Sequence, residues 1–267
     1  MKTHLTAVLV LMLVFFFFMS GLSALQSEHK SHPKVKHYAA ELQKSLKNID
    51  NTIVKQISIH KSNLDTDAGI YKLLNAILNE HPNIEACFVD NKGILRLVTP
   101  EIYKSAEGTD INDQEHVIQM LHKPRPILSS GFMAVEGYLG VVLSRPLYNS
   151  KKQFLGSINL VLRPDLLLED ITKDIPVGDE VWTMQPDGMI ICDDSDEVGK
   201  NLFTDPIYKD FGELRELGKQ ISAKSSGKGE YSFYASGSKT LVKKSATWAT
   251  MKFNGRIWRV VLTHRMQ

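Results

Sequence analysis

The sequence predicts an α+β protein in which one long N-terminal helix precedes two similar modules, each built on an antiparallel sheet. Three observations lead there. Apolar residues recur at helical spacing between Val35 and Ile53; two hairpin-like stretches, near residues 84–100 and 181–203, share one design; and two longer hairpins close the halves in the same way. At 267 residues, 43% of them hydrophobic and 23% charged, the chain has the composition of a globular protein long enough for one large or two smaller domains. The expected divisions are a leader over 1–25, a polar segment and helix over 26–63, and modules over 64–175 and 176–267.

The leader comes first. Lys2 and His4 precede an uncharged apolar run from Leu5 to Met19, and the small residues Gly21, Ser23 and Ala24 follow. That is the layout of a secretory signal peptide. Cleavage after Ser23 fits the small-residue positions better than cleavage after Ala24, which leaves Leu22 third back. Uncut, Leu5 to Leu25 approaches the ~20 residues that span a bilayer, which would make it an N-terminal anchor. In both cases the remainder is expected outside the cytoplasm, periplasmic or secreted. The only cysteines, Cys87 and Cys192, are too few for a disulfide framework and lie in apolar runs, so buried thiols are expected.

The long helix is expected over about 34–60. Val35, Ala39, Leu42, Leu46, Ile49 and Ile53 follow at intervals of four and three, which places them on one face. That stripe suits packing along the chain's own body, with a homodimer seam as the competing use. A second helix is expected from Asp67 to Glu80, stopped at His81-Pro82. IEACFVDNKGILRLVTP, Ile84 to Pro100, then reads as a hairpin turning at Asp90 to Gly93.

MQPDGMIICDDSDEVGKN, Met184 to Asn201, has the same plan, with Asp187-Gly188 as its turn. Each half ends alike too. Tyr138 to Leu162 is a strand, a polar turn and a strand, and Thr240 to Leu262 repeats it around Asn254-Gly255. Between the hairpins fit short helices, over Ile111 to Leu121 and over Pro206 to Ile221. Two copies of one PAS-like unit account for this order.

A secretory leader, a long helix and tandem PAS-like modules resemble the double Cache extracytoplasmic sensor domains of microbial chemoreceptors and sensor kinases. The residues carrying the resemblance are SRPLYNSKKQFLGSINLVL in the first module and WTMQPDGMIICDDSDEVGKNLFTDPIY in the second. The resemblance implies a small-molecule receptor, non-enzymatic and without a cofactor, whose ligand usually lies in the first module between a curved sheet and overlying loops. The candidate lining there is Phe132, Tyr138, Ser144, Arg145, Ser157 and Asn159. Ser157 and Asn159 share a strand face that meets either a pocket or water. Arg145 suits a carboxylate ligand, because a guanidinium forks onto two oxygens. No Arg-Trp-Tyr stretch of the amino-acid-sensing branch precedes these strands. In the second module Trp182, Asp194, Tyr208, Tyr231 and Trp248 are candidates, although aromatics at such positions more often fill a core.

Competing chemistry is weaker. A formal charge of +2, from 32 basic and 30 acidic residues, offers no footprint for nucleic acid. Asp194, Asp196 and Gly199 match a calcium-loop count at three positions, but Asp205 falls where a bidentate Glu is needed. His29, His32 and His37 lie in or beside the polar segment that precedes the long helix, where no fixed scaffold gathers them onto a metal. No Gly-x-Ser-x-Gly or His-Glu-x-x-His stretch occurs. A hydrolase using Asp193 or Asp194, and a structural dimerisation module, are the alternative functions. The last expected strand reaches His264 and no second apolar span follows, so the expectation is a protein without an output of its own, acting through a receptor, kinase or transporter.

Overall fold

The computed structural model describes residues 33–134, 137–193, 197–234 and 240–266. The leader, with His29 and His32, therefore lies outside the described residues. Helix α1, Pro33–His60, starts with proline at its first position, where the missing N–H is not needed. All six residues of the expected stripe are buried, joined by Tyr38. The stripe meets the chain's own body: one apolar cluster joins α1, helix α2 (Asp67–Glu80) and the inner faces of both sheets. The seam foreseen for a dimer is thus occupied within the protomer. Helix α2 begins where the Thr66 hydroxyl accepts the Gly69 N–H at 3.1 Å.

The first sheet contains β1 (Glu85–Asp90), β2 (Leu95–Thr99), β3 (Ile127–Leu128), β4 (Phe132–Met133), β5 (Leu139–Tyr148) and β6 (Phe154–Leu162). Helix α3, Glu115–His122, shorter than expected, lies between β2 and β3. The second contains β7 (Asp179–Met184), β8 (Ile190–Cys192), β9 (Gly227–Tyr234), β10 (Leu241–Phe253) and β11 (Arg256–Arg265), with helix α5, Gly212–Ala223, before β9. Helix α4, Pro164–Thr172, joins the modules and was not foreseen. Its signal is modest: Pro164 at the first turn with Asp165 beside it.

The strand paths are β2-β1-β6-β5-β3, with β4 added on β5, and β8-β7-β11-β10-β9. These are one topology written twice, which is why the two halves repeat in sequence. The opening hairpins share their turn chemistry as well. Asp90 Oδ1 accepts the Lys92 and Ile94 N–H groups at 2.8 and 3.0 Å, and Asp187 Oδ1 accepts that of Met189 at 3.1 Å. Gly93 and Gly188 follow with φ of 84° and 96°, a conformation that costs glycine nothing.

The β10–β11 turn reaches across to the first module. Asn254 and Gly255, with φ of 42° and 85°, form the two-residue turn expected of this dipeptide. From it the Asn254 carbonyl accepts the Leu128 N–H at 3.2 Å, while Arg256 donates to the Leu128 carbonyl at 3.2 Å and to Glu115 at 2.6 Å. The modules are therefore joined at α1 and again at this turn.

Candidate ligand-binding site

Strand alternation divides the second sheet. Trp258, Val260 and Leu262 of β11 and Ala249 and Met251 of β10 join the cluster under α1. Trp182, Tyr231, Ala246, Trp248 and Val261 point the other way, toward Tyr208 and α5. At one end this second layer is closed tightly. A Cβ on Gly227 would sit 2.3 Å from the Trp248 ring, and one on Gly229 would sit 2.4 Å from Leu217. Toward Tyr231 and Tyr234 the layers part around a cavity of about 500 Å³. That volume suits a small organic molecule.

The cavity wall is aromatic: Trp182, Tyr208, Phe211, Tyr231, Phe233 and Tyr234, with Ile190, Leu202, Ile207 and Leu214 between them. The rings form a chain. Tyr208 meets Phe211 edge-on at 6.5 Å between centroids, Phe211 is 6.3 Å from Phe233, and Phe233 stacks on Tyr231 at 5.9 Å. Among the described lining residues four are charged, Glu180, Asp193, Glu197 and Lys244. The Tyr208 hydroxyl donates to Glu197 at 2.7 Å, and Lys244 pairs with Glu180 while its ammonium lies 5.5 Å from the Phe233 centroid. Both buried phenols are pushed above their ordinary range. Burial is the main cause for Tyr208, then Glu197, Asp193 and Asp205; for Tyr231 it is burial, then Glu180, Asp193 and Glu197. They stay protonated and able to donate.

In the first module the corresponding face is built differently. Register sets Cys87, Asn159 and Ser144 side by side across β1, β6 and β5, with Ser157 two residues from Asn159. All three polar residues are buried and satisfy one another: Ser144 donates to Asn159 Oδ1 at 2.6 Å, and Asn159 Nδ2 donates to the Ser157 hydroxyl at 3.0 Å. Burial pushes the Cys87 thiol up to about 12, with the Glu85 charge adding to it. In α3, burial holds the His116 imidazole down at about 4, against the opposing pull of Glu115.

The expected site residues are thus dispersed. Ser144, Ser157 and Asn159 are gathered into the buried polar cluster. Arg145 points to the opposite face, where Nε and Nη2 grip both oxygens of Asp50 on α1 at 2.6 Å each. The carboxylate it holds is the chain's own. Phe132 is exposed on β4, and the Tyr138 hydroxyl donates to Glu85 at 2.6 Å with Arg163 over its ring. Trp182 and Tyr208 do line the cavity, with Tyr231; Asp194 and Asp196 lie outside the described residues. Trp248 is core, its indole N–H donating to the Lys224 carbonyl at 3.1 Å. Phe211, Phe233, Tyr234, Glu180, Glu197 and Lys244 line the cavity without being among the expected ligand residues. Two pairs carried a signal, since Glu180 and Trp182, like Tyr231 and Phe233, are two apart on one strand face.

Both cysteines are free thiols. Among the described residues no group of three or more His, Cys, Asp and Glu is arranged to hold a metal ion, and His37 is exposed. Among them, too, no helix is long and apolar enough to cross a membrane.

Two sheets of one strand order behind a shared helix define a double Cache fold, the tandem PAS-like arrangement of extracytoplasmic sensor domains. More particularly, residues 44–164 match the family model described as HK/GC/Chemotaxis protein-like, sensor domain. No curated protein matches the chain. Among solved structures it is similar to an extracellular ligand binding receptor from Desulfohalobium retbaense, with a TM-score of 0.66 and 23% identity over 88% of this chain. The match spans only 41% of that receptor. The ligand binding domain of the Pseudomonas aeruginosa amino acid chemoreceptor PctB, in complex with L-Gln, gives a TM-score of 0.61 and 16% identity, covering 89% of this chain and 90% of that one. The periplasmic sensory domain of the Campylobacter jejuni chemoreceptor Tlp1 gives 0.51 and 18%, covering 86% and 92%.

Proposed function

We propose that this chain is an extracytoplasmic small-molecule-binding protein of the sensor type, not an enzyme, exported by its leader or anchored through it, and that a membrane receptor, kinase or transporter reads its liganded state. The observation that carries this reading is the aromatic cavity of the second module, a half-open cleft between sheet and cover and of a size for a metabolite. The double Cache fold supports it, as does the sensor-domain match; the PctB domain of the same fold is described in complex with L-Gln.

A route for coupling follows from strand alternation. Strand β10 turns Lys244 to the cavity and Ala249 and Met251 to the α1 side, and its turn into β11 contacts Glu115 and Leu128. A ligand that draws Tyr208 and Phe211 onto the sheet therefore biases an element shared with α1 and the first module. Only a ligand with different affinity for two arrangements can shift them.

The test is a thermal-shift screen of the exported chain against amino acids, amines and organic acids. A specific ligand raises the melting temperature with concentration, by about 2.7 kcal/mol of stability at a hundred times its Kd. Phe211→Ala should abolish the shift. A folded chain that responds to none of these classes refutes the reading.

A further inference from the structure

Taking that cavity to be the ligand site, we propose that it selects an organic cation, a small molecule whose alkylated ammonium head is held against Phe211, Tyr231 and Phe233 beside Glu197 and Asp193. Three features of the wall point the same way. First, Phe211, Phe233 and Tyr231 lie in one contiguous row lining a single space, and a ring's π-face attracts a cation.

Secondly, among the described lining residues three carboxylates stand against one ammonium, and the field they set is negative. The one cation among the described lining residues, Lys244, is paired with Glu180. An anionic ligand would meet two further carboxylates and no uncommitted positive group among the described lining residues. Burial is the main cause of the raised Tyr208 and Tyr231 phenols, and the carboxylates beside them push the same way.

Thirdly, the site already holds an ammonium. Lys244, with its side chain only 14% exposed, places Nζ 5.5 Å from the Phe233 centroid while pairing with Glu180. The chain thus solves at one edge of the cavity the problem a ligand would pose in the rest of it: a cation removed from water, recovered by a ring face and a carboxylate. An alkylated ammonium loses less hydration than a primary one on entering such a box, which favours it over a simple amine.

The experiment is titration calorimetry on the exported chain with choline, tetramethylammonium, neohexyl alcohol (the uncharged carbon isostere of choline) and glutarate. The expected result is that the two ammonium probes bind and the alcohol binds at least roughly tenfold more weakly, as a desolvated cation–π contact requires. Phe233→Leu, which keeps apolar bulk and removes the ring, weakens choline by roughly three- to thirtyfold. Glu197→Gln weakens choline but leaves the alcohol unchanged. Lys244→Met tightens choline, since an internal competitor is gone. Circular dichroism checks that each variant folds. Equal affinity for alcohol and choline, preference for glutarate, or loss of binding in Lys244→Met overturns the cation proposal while leaving the cavity as a ligand site. If none of these probes binds and the thermal-shift screen is also silent, the cavity reading falls together with it; if they are silent while another class stabilises the chain, only the cation proposal falls.

Discussion

The Arg145–Asp50 pair makes a prediction with an unusual asymmetry. Two bonds of 2.6 Å fork the guanidinium of β5 onto the carboxylate of α1, with the Asp50 side chain 6% exposed and that of Arg145 26% exposed. Removing Arg145 strands a carboxylate that water cannot reach. Breaking a buried pair in that way costs about 3–5 kcal/mol. Removing Asp50 leaves a guanidinium that can turn its outer edge to solvent, so the loss is nearer the cost of one charged hydrogen-bonding group, about 1–3 kcal/mol. Arg145→Ala should therefore destabilise more than Asp50→Ala, and the double variant should lie near Asp50→Ala, because it no longer buries an unpaired charge. Urea unfolding followed by circular dichroism measures all three, and the cycle isolates the coupling. Equal losses below about 1 kcal/mol for both single variants would refute the reasoning and place the pair among exposed ion pairs. If Arg145→Ala instead left stability intact and abolished binding of a carboxylate probe, Arg145 would return as a ligand residue.

Acid should weaken the first module through His116. Its folded value of about 4 lies below the ordinary 6.5, so between those values the unfolded chain takes up a proton that the folded chain refuses. Its contribution is complete above pH 6.5 and falls away toward pH 4, by roughly 3 kcal/mol, and His116→Gln should flatten that part of the urea midpoint against pH. Gly156→Ala should cost well over the ~1 kcal/mol of an ordinary strand substitution, since φ is 142° and the new Cβ would sit 2.0 Å from the Val89 carbonyl oxygen. Thermal melting checks it, and a loss under 1 kcal/mol would show that the β1–β6 pairing gives way easily. Arg256→Ala should cost only about 1 kcal/mol, Glu115 being 43% exposed, yet hydrogen exchange should quicken at Leu128, whose carbonyl Arg256 also holds. Unchanged exchange there would mean that the turn does not clamp the modules.

Much of the architecture was legible because it rests on local chemistry. The α1 stripe could be read from spacing alone, and Asp90, Gly93, Asp187, Gly188, Asn254 and Gly255 mark turns through their own side chains or their tolerance of positive φ. The repeat of one hairpin plan announced the repeat of one topology. Helix α4 escaped because the nine residues Pro164–Thr172, in a stretch read as the approach to the module boundary, carry too short a pattern to stand out.

The site was far less legible. Arg145 looked like a ligand group because its partner, Asp50, is 95 residues away on another element. Ser144, Ser157 and Asn159 share a face as alternation requires, but only register shows that they face one another and are mutually satisfied.

What the sequence by itself determined is the order of elements, the turns, the duplicated module and which face of each strand is apolar, since these follow from the side chains of neighbours a few residues apart. What only the tertiary structure decided is where the chain leaves space. The cavity draws Trp182, Tyr208, Phe211, Tyr231, Phe233 and Lys244 from segments spread over some sixty residues, and it is open there because Gly227 and Gly229 let Trp248 and α5 close the other end. A void depends on how separate surfaces meet, and no local pattern records that.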